Sequence, residues 1–505
     1  MVFKDMRVFL NKLEEEGELV RVKEQMENGF EITAFMYELW DRMGEKAPAV
    51  MFENVKGYDM PVAVGILSSF RRYALAFGMP NWKTAGYKEV KEKLISLWEK
   101  PHELKVLPKV VSKEEAPCKE VILEGGKATL DKLPILKWHP QDGQEGRCLT
   151  PGWEGRFITW GCVVHYDKGW NSFNIGCYRI MLQDNRTLSI MSQRLQHIGI
   201  YIARARAAGI KKFPTAIVIG PPPALMAAAG MKMPHPSISE YVFTGTLTGE
   251  PIELVKCETS DLLVPATAEI VIEGEMLLDQ PPLAEGPFAE YQGYVGSGLE
   301  TPPFKVTCIT MRKDPIYVNA VSGHKLSESN FGYVPWITIQ LQAYAKTAVN
   351  GFRDLCIPYD TRGFIAIVQI EKRNPGWGKQ AVRALLGSPF GTALLNMAIA
   401  VDEDVNIYDW GEVMWAVATR VDPELDVEIF PPTGTIPLNP AGRSLVRDPR
   451  TGIPEYTFCS KIGIDATRKF EIEPGRTRGT PPLASADPKA LEKIRKNWDK
   501  YFPAK

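Results

Sequence analysis

FITWGCVVHYDKGWNSFNIGCYRIML, residues 157–182, is the stretch on which the fold turns. Its two halves, Phe157 to Tyr166 and Asn174 to Leu182, are short runs rich in β-branched and aromatic residues, which predicts strands. Working outward, Thr215 to Ile219, Ile252 to Lys256, Ala268 to Ile272 and Phe304 to Met311 repeat that character, interrupted by one helical insertion, His197 to Ala208. Many short strands with few helices predict a barrel or sandwich with inserted pieces over residues 116–315.

The flanks differ. Toward the N-terminus, Asp5 can cap a helix whose Met6, Phe9, Leu10 and Leu13 share one face, and Gly17 ends it before the strand-like Leu19 to Val22. A helix over Glu31 to Met43, a strand over Ala49 to Phe52 and a helix over Glu89 to Trp98 continue an α/β pattern through residues 1–115. Beyond Pro315, residues 316–470 read as α/β again: Ile337 to Ala348, Lys379 to Leu386 and Gly391 to Ala400 as helices, Phe364 to Ile370 as an apolar, parallel-type strand. In the tail, residues 471–505, Leu491, Ile494 and Trp498 predict an amphipathic helix. The whole is a multidomain α/β (α+β) chain.

Composition narrows the function. Sixty basic against 61 acidic residues give net charge -1, so no global field draws the chain to nucleic acid or an anionic membrane. Eight cysteines stand singly, without CxxC or zinc-type spacing, which fits a reduced, cytoplasmic protein. No run of about 18 apolar residues predicts a membrane span, and no secretory pattern opens the chain.

Candidate chemistry lies between Asn174 and Glu290. Asn174, His197 and Glu240 offer an amide oxygen, an imidazole and a carboxylate with no thiolate, a set suited to Mn²⁺ or Mg²⁺; His197 alone reads more readily as a packing or capping residue than as a ligand. Glu285 and Glu290 flank a Gly286-Pro287 corner that can bring two carboxylates to one place, where an adjacent arginine keeps one ionised and leaves the other to carry a proton. A solvated surface turn is the plainer alternative. Arg179 lies on the face of a regular strand opposite to Asn174, so a bulge at Gly176 or two layers of one site are the two ways to unite them. Val401-Asp402-Glu403-Asp404-Val405 reads as a solvated loop or a cation site, and Ile219-Gly220-Pro221-Pro222-Pro223 as an architectural strand end.

In order, FNIGCYRIML, the QRLQH junction, ELVKCETSDLLVPATAEIVIEGE, EGPFAEYQGY, VDEDVNIYDWGEVMWAVATRVDP and KIGIDAT make the chain resemble, over nearly its whole length, the UbiD-like family of reversible decarboxylases that use prenylated FMN. The resemblance implies an N-terminal α/β domain, a central split β-barrel for the flavin and a C-terminal α/β domain that mediates oligomerisation as dimers or hexamers. It implies Arg179, Glu285 and Glu290 as the catalytic set, with Glu290 as proton donor. Asn174, His197 and Glu240 become ligands of Mn²⁺ bridging to the cofactor phosphate, accompanied by K⁺. Thr159, Gly176, Cys177, Gln196, Gly230 and Met231 line the flavin pocket, and Lys379 reaches the phosphate. The substrate would be an aromatic, heteroaromatic or α,β-unsaturated acid that exchanges CO₂, with a flavin prenyltransferase supplying the cofactor. The segment Ser322 to Phe331 lines the substrate pocket in relatives, and His324, Lys325, Ser327 and Ser329, with Gln193, favour a hydroxylated aromatic or heteroaromatic acid. A flavin reductase and a non-catalytic subunit of a larger carboxylase are the alternatives; the first lacks a Gly-rich dinucleotide fingerprint after a strand, the second leaves the acids without a use.

Overall fold

The structure, a computed structural model, describes residues 2–193, 196–447 and 454–502. Arg194 and Leu195 of the QRLQH junction lie outside it.

Asp5 caps the helix Met6–Glu15 by accepting the Arg7 N–H at 2.6 Å, and the helix buries Met6, Phe9, Leu10 and Leu13. Leu19–Val22 then pairs in parallel with Ala49–Phe52, followed by Val62–Val64 and, from far along the chain, Tyr317–Val318. That late strand ties the exit of the central region into the N-terminal sheet. A short helix, Phe70–Ala76, follows, almost entirely buried, so no polar face marks it in the sequence.

Six strands close the central barrel in the order Ile270–Leu277, Lys212–Ile219, Phe157–Asp167, Ser172–Asp184, Thr187–Ile190 and Pro303–Met311, the last pairing back onto the first. Each strand of the ring therefore has a neighbour on both sides for at least part of its length. The predicted run Ile252 to Lys256 forms a strand, Glu253–Lys256, but in a separate small sheet with Leu263–Pro265 and Lys109–Val110. Besides His197–Ala207, two further helices are inserted, Pro223–Ala229 and Glu240–Thr248. The Gly-Pro-rich corner ends its strand at Ile219 and starts the helix at Pro223, where a missing N–H costs nothing.

The C-terminal sheet runs Phe352–Cys356, Ile365–Ile370, Met397–Asp402, Pro454–Asp465, Val427–Thr435, with parallel pairing among its central strands. Helices Glu328–Ala348 and Trp377–Gly387 cover one face and Trp410–Arg420 the other, each over its own apolar core. Gly391 to Ala400, expected as one helix, is instead a short helix, Pro389–Ala393, followed by the buried strand Met397–Asp402. The run Met397-Ala398-Ile399-Ala400-Val401 is apolar on both faces, which suits a central parallel strand as well as a helix.

Candidate active site

Arg179 lies on the barrel strand Ser172–Asp184, 7% exposed, between two carboxylates. Its Nε and Nη2 donate to Glu285 at 2.8 and 2.7 Å, and its Nη1 donates to Glu290. Nη2 also reaches the Ser297 carbonyl at 3.4 Å. A guanidinium has five N–H groups and these bonds use four, so one Nη1 donor stays uncommitted. The side chain also lies over the Phe288 ring at 5.2 Å.

The acidic loop is built for this contact. Leu283–Glu285 pairs with Leu299–Thr301 and Phe288–Ala289 with Val295–Gly296, so Glu285 and Glu290 lie along one arm of a short hairpin, on either side of the Gly286-Pro287 corner, with Glu290 at the start of its turn. Gly286 has φ 81°, and a side chain there would meet the Gly298 Cα at 2.7 Å and Arg179 Nη2 at 3.0 Å. Only glycine lets the backbone approach the guanidinium so closely. Asp142 braces the loop by accepting the Ala289 N–H at 2.9 Å. Glu285 is fully buried behind Arg179, and burial pushes its carboxyl up while Arg179 pulls it down; Glu290 faces a cavity.

Asn174, His197 and Glu240 form a second buried group. Asn174 Nδ2 donates to Glu240 Oε1 at 2.9 Å and stands 3.4 Å from His197 Nδ1. His197 and Glu240 each begin a helix, His197–Ala207 and Glu240–Thr248, where unpaired backbone N–H groups and the helix dipole favour an anion such as phosphate. Among the described residues, Asn174 Oδ1 and His197 Nε2 are buried without hydrogen-bond partners. Burial pushes the Glu240 carboxyl up to about 8 and His197 down to about 4. A neutral imidazole, an orphaned amide oxygen and a carboxylate lacking a counter-charge are what a hard divalent cation satisfies. The residues therefore fit the metal expected of them.

No bulge at Gly176 unites the two groups. Pairing with Phe157–Asp167 runs without a break through Gly176, and the irregularity falls on the neighbouring strand between Ile158 and Gly161. An open edge does the work instead. The strand Ser172–Asp184 meets Thr187–Ile190 only from Ile180 onward, so its earlier part has no strand on that side, and Glu240 accepts the free Ile175 N–H at 2.9 Å. Tyr178 bridges the groups: it lines the cavity beside Arg179, and its hydroxyl accepts the Ile198 N–H, next to His197, at 3.3 Å. The ring folds back over Gly176, where a Cβ would lie 2.6 Å from the tyrosine oxygen.

The cavity encloses about 890 Å³ counted to its open mouth. Thr159, Cys177, Arg179, Gln196, Gly230 and Glu290 line it; Gly176 and Met231 do not. Lys379 does not stand at it. The helix that carries Lys379 packs on the C-terminal sheet, and its ammonium, on the outer side, lies 4.0 Å from Glu428. His324 stacks on Trp40 and meets Asp41, Lys325 is exposed, Ser327 hydrogen-bonds Ser329, and Gln193 is exposed, so of that predicted polar set only Ser329 lines the space. Asp402 and Asp404 are occupied by Arg420 and Arg468, which leaves no call for a cation there. Ser322 and Glu328 line it within the segment expected there, although neither was singled out for its side chain, and Tyr73, Trp160 and Tyr333 line it without any signal in the sequence. A Glu directly after Ser327 at the start of an apolar-periodic run reads as an ordinary first-turn acid, and nothing local shows that it turns inward.

Known proteins place this arrangement. Models described as the N-terminal, Rift-related and C-terminal domains of 3-octaprenyl-4-hydroxybenzoate carboxy-lyase match residues 10–90, 109–325 and 334–466. Uncharacterized proteins of Archaeoglobus fulgidus and Aquifex aeolicus are 33% and 35% identical, each over 99% of this chain and 98% of their own. The vanillic acid decarboxylase of Sedimentibacter hydroxybenzoicus, in open form, superposes with TM-score 0.82 at 30% identity over 99% of this chain and 100% of its own. HmfF of Pelotomaculum thermopropionicum, a UbiD-class enzyme solved in complex with FMN, does so at 0.77 and 28% over 97% and 98%; an evolved dimeric form of it was solved with prenylated FMN.

Proposed function

The chain belongs to the UbiD family and is a carboxy-lyase, and from this premise we propose that it catalyses the reversible, non-oxidative decarboxylation of an aromatic, heteroaromatic or α,β-unsaturated carboxylic acid with prenylated FMN. The observation that supports this most is Arg179 held between Glu285 and Glu290, with Glu290 facing the cavity and one guanidinium N–H free. Asn174, His197 and Glu240 would hold a divalent cation, Mn²⁺ by the family's habit and accompanied by K⁺, that binds the cofactor phosphate. When bound, the prenylated flavin supplies the electron acceptor that an unsaturated carbon needs when it loses CO₂.

The chain's own residues do the rest. The free Arg179 N–H orients the substrate carboxylate. Arg179 holds Glu285 through two bonds and Glu290 through one, which fixes Glu290 at the cavity wall. The bond to the carboxylate carbon breaks, CO₂ leaves, and Glu290 delivers its proton to the carbon left behind; solvent at the cavity mouth restores it. The apolar walls, Trp160, Met191, Phe288 and Tyr291 among them, limit water around that carbon. Production of the protein with a flavin prenyltransferase, followed by a CO₂-release screen over the three classes of acid, tests the assignment. CO₂ from at least one class, dependent on flavin and metal, is expected; a flavin-loaded, metal-replete protein inert toward all of them would refute it.

A further inference from the structure

The cavity lined by Arg179 and Glu290 carries two further polar side chains that the reaction above does not use. Glu328, in the first turn of Glu328–Ala348, is fully buried and lines the cavity, and neither of its carboxylate oxygens has a hydrogen-bond partner of good geometry. Tyr73, on the helix Phe70–Ala76 of the N-terminal unit, is 2% exposed, lines the same space and has an unpartnered hydroxyl. Gly332, one turn after Glu328, makes room for that hydroxyl: a Cβ there would lie 2.6 Å from it.

A buried polar group with no partner costs free energy until a ligand supplies one. Burial pushes the Glu328 carboxyl up to about 7, while its own backbone N–H, those of Gly65 and Ile66, and Arg72 pull it down. Its oxygens, without a bond of good geometry among the described residues, are open to an O–H or N–H from a ligand. The same helix places the ligand. Tyr333, five residues on, packs against Tyr291 at 4.8 Å between ring centroids, beside Glu290.

Resting on the decarboxylase assignment, we propose that Glu328 and Tyr73 form a specificity site that selects aromatic or heteroaromatic acids carrying an O–H or N–H donor on the ring, at the end remote from the carboxylate held by Arg179. Thr159, Cys177, Gln196 and Gly230 belong to the barrel and its insertions, whereas Glu328 and Tyr73 come from outside the barrel and share their wall with Tyr333. That separation assigns the donor to the substrate. A flavin imide N–H offers the same chemistry and is the competing source.

The test uses flavin-loaded protein carrying Glu290→Gln, so that ligand is bound without turnover, and measures calorimetric affinity for two matched pairs, 4-hydroxybenzoate against benzoate and pyrrole-2-carboxylate against furan-2-carboxylate. At least one donor-bearing acid should bind tenfold or more tightly than its partner. Adding Glu328→Gln should bring that preference to within about twofold, with the donor-free affinity and the flavin absorbance unchanged; Tyr73→Phe should act in the same direction. A preference that survives Glu328→Gln, or flavin content that falls with that substitution, overturns the inference. The two claims fail separately: wild-type protein that shows the preference but releases no CO₂ from any acid refutes the reaction and leaves the specificity site standing.

Discussion

At the scale of single residues, the account separates two kinds of buried acid. Glu240 accepts from an amide and a backbone N–H, and in the function proposed above it completes a metal site. His197→Ala or Glu240→Gln should therefore lower bound metal from about one per chain to near zero and carry the flavin away with it, as metal analysis and the visible spectrum would record; full occupancy of both in either variant would remove these ligands. Glu328 has no such task, and its titration bears on stability. Its folded value of about 7 lies above the ordinary value near 4.3, so the folded chain holds a proton that the unfolded chain releases between the two. Its contribution is complete below about pH 4 and is lost as the pH rises through 7, amounting to roughly 4 kcal/mol at most. Arg72 and Tyr73 face it and remain in place in the comparison. Cofactor-free wild-type protein should lose more thermal stability between pH 5 and pH 8 than Glu328→Gln does; identical slopes would contradict this.

At the scale of elements, the acidic hairpin sets the geometry. Gly286→Ala should destabilise the protein by about 1–3 kcal/mol and cut CO₂ release by at least tenfold, since a methyl group would press on both Gly298 and Arg179. Unchanged melting and rate would show that the hairpin yields without cost. Much of this element was legible beforehand: two acids around a Gly-Pro corner announce a turn, and the strands around it have β-type composition. Its partner was not, because a strand's open edge depends on where its neighbour begins, which here is Ile180. Tyr73 shows the same limit more sharply. The helix Phe70–Ala76 is buried nearly all round, so it carries no amphipathic signal, and its arrival at the cavity is a fact of tertiary structure. Lys379 fails for the opposite reason: Pro375-Gly376-Trp377 does open a helix, as its sequence says, but the sheet beneath directs the lysine to Glu428. Met397–Asp402 was misread because a run apolar on both sides lacks the periodicity that separates strand from helix.

At the scale of the whole molecule, three units meet at one cavity: Tyr73 from the first, Arg179 and Glu290 from the barrel region, Glu328 and Tyr333 from the helix that opens the third. No helix among the described residues is long and apolar enough to cross a membrane. The tail helix Pro488–Lys496 exposes Leu491 and Ile494, with Trp498 and Phe502 beyond it. Such a face is consistent with the expected homo-oligomer, for which sedimentation should give a multiple of 56.5 kDa; a single 56.5 kDa species at micromolar concentration would count against it. The central claim is that Glu290 returns a proton to the carbon that has lost CO₂, and it is tested most directly by single-turnover CO₂ release and product formation in Glu290→Gln against wild type, both matched for flavin and metal. The account predicts that product forms at least 100-fold more slowly in the variant; product formation at the wild-type rate would contradict it.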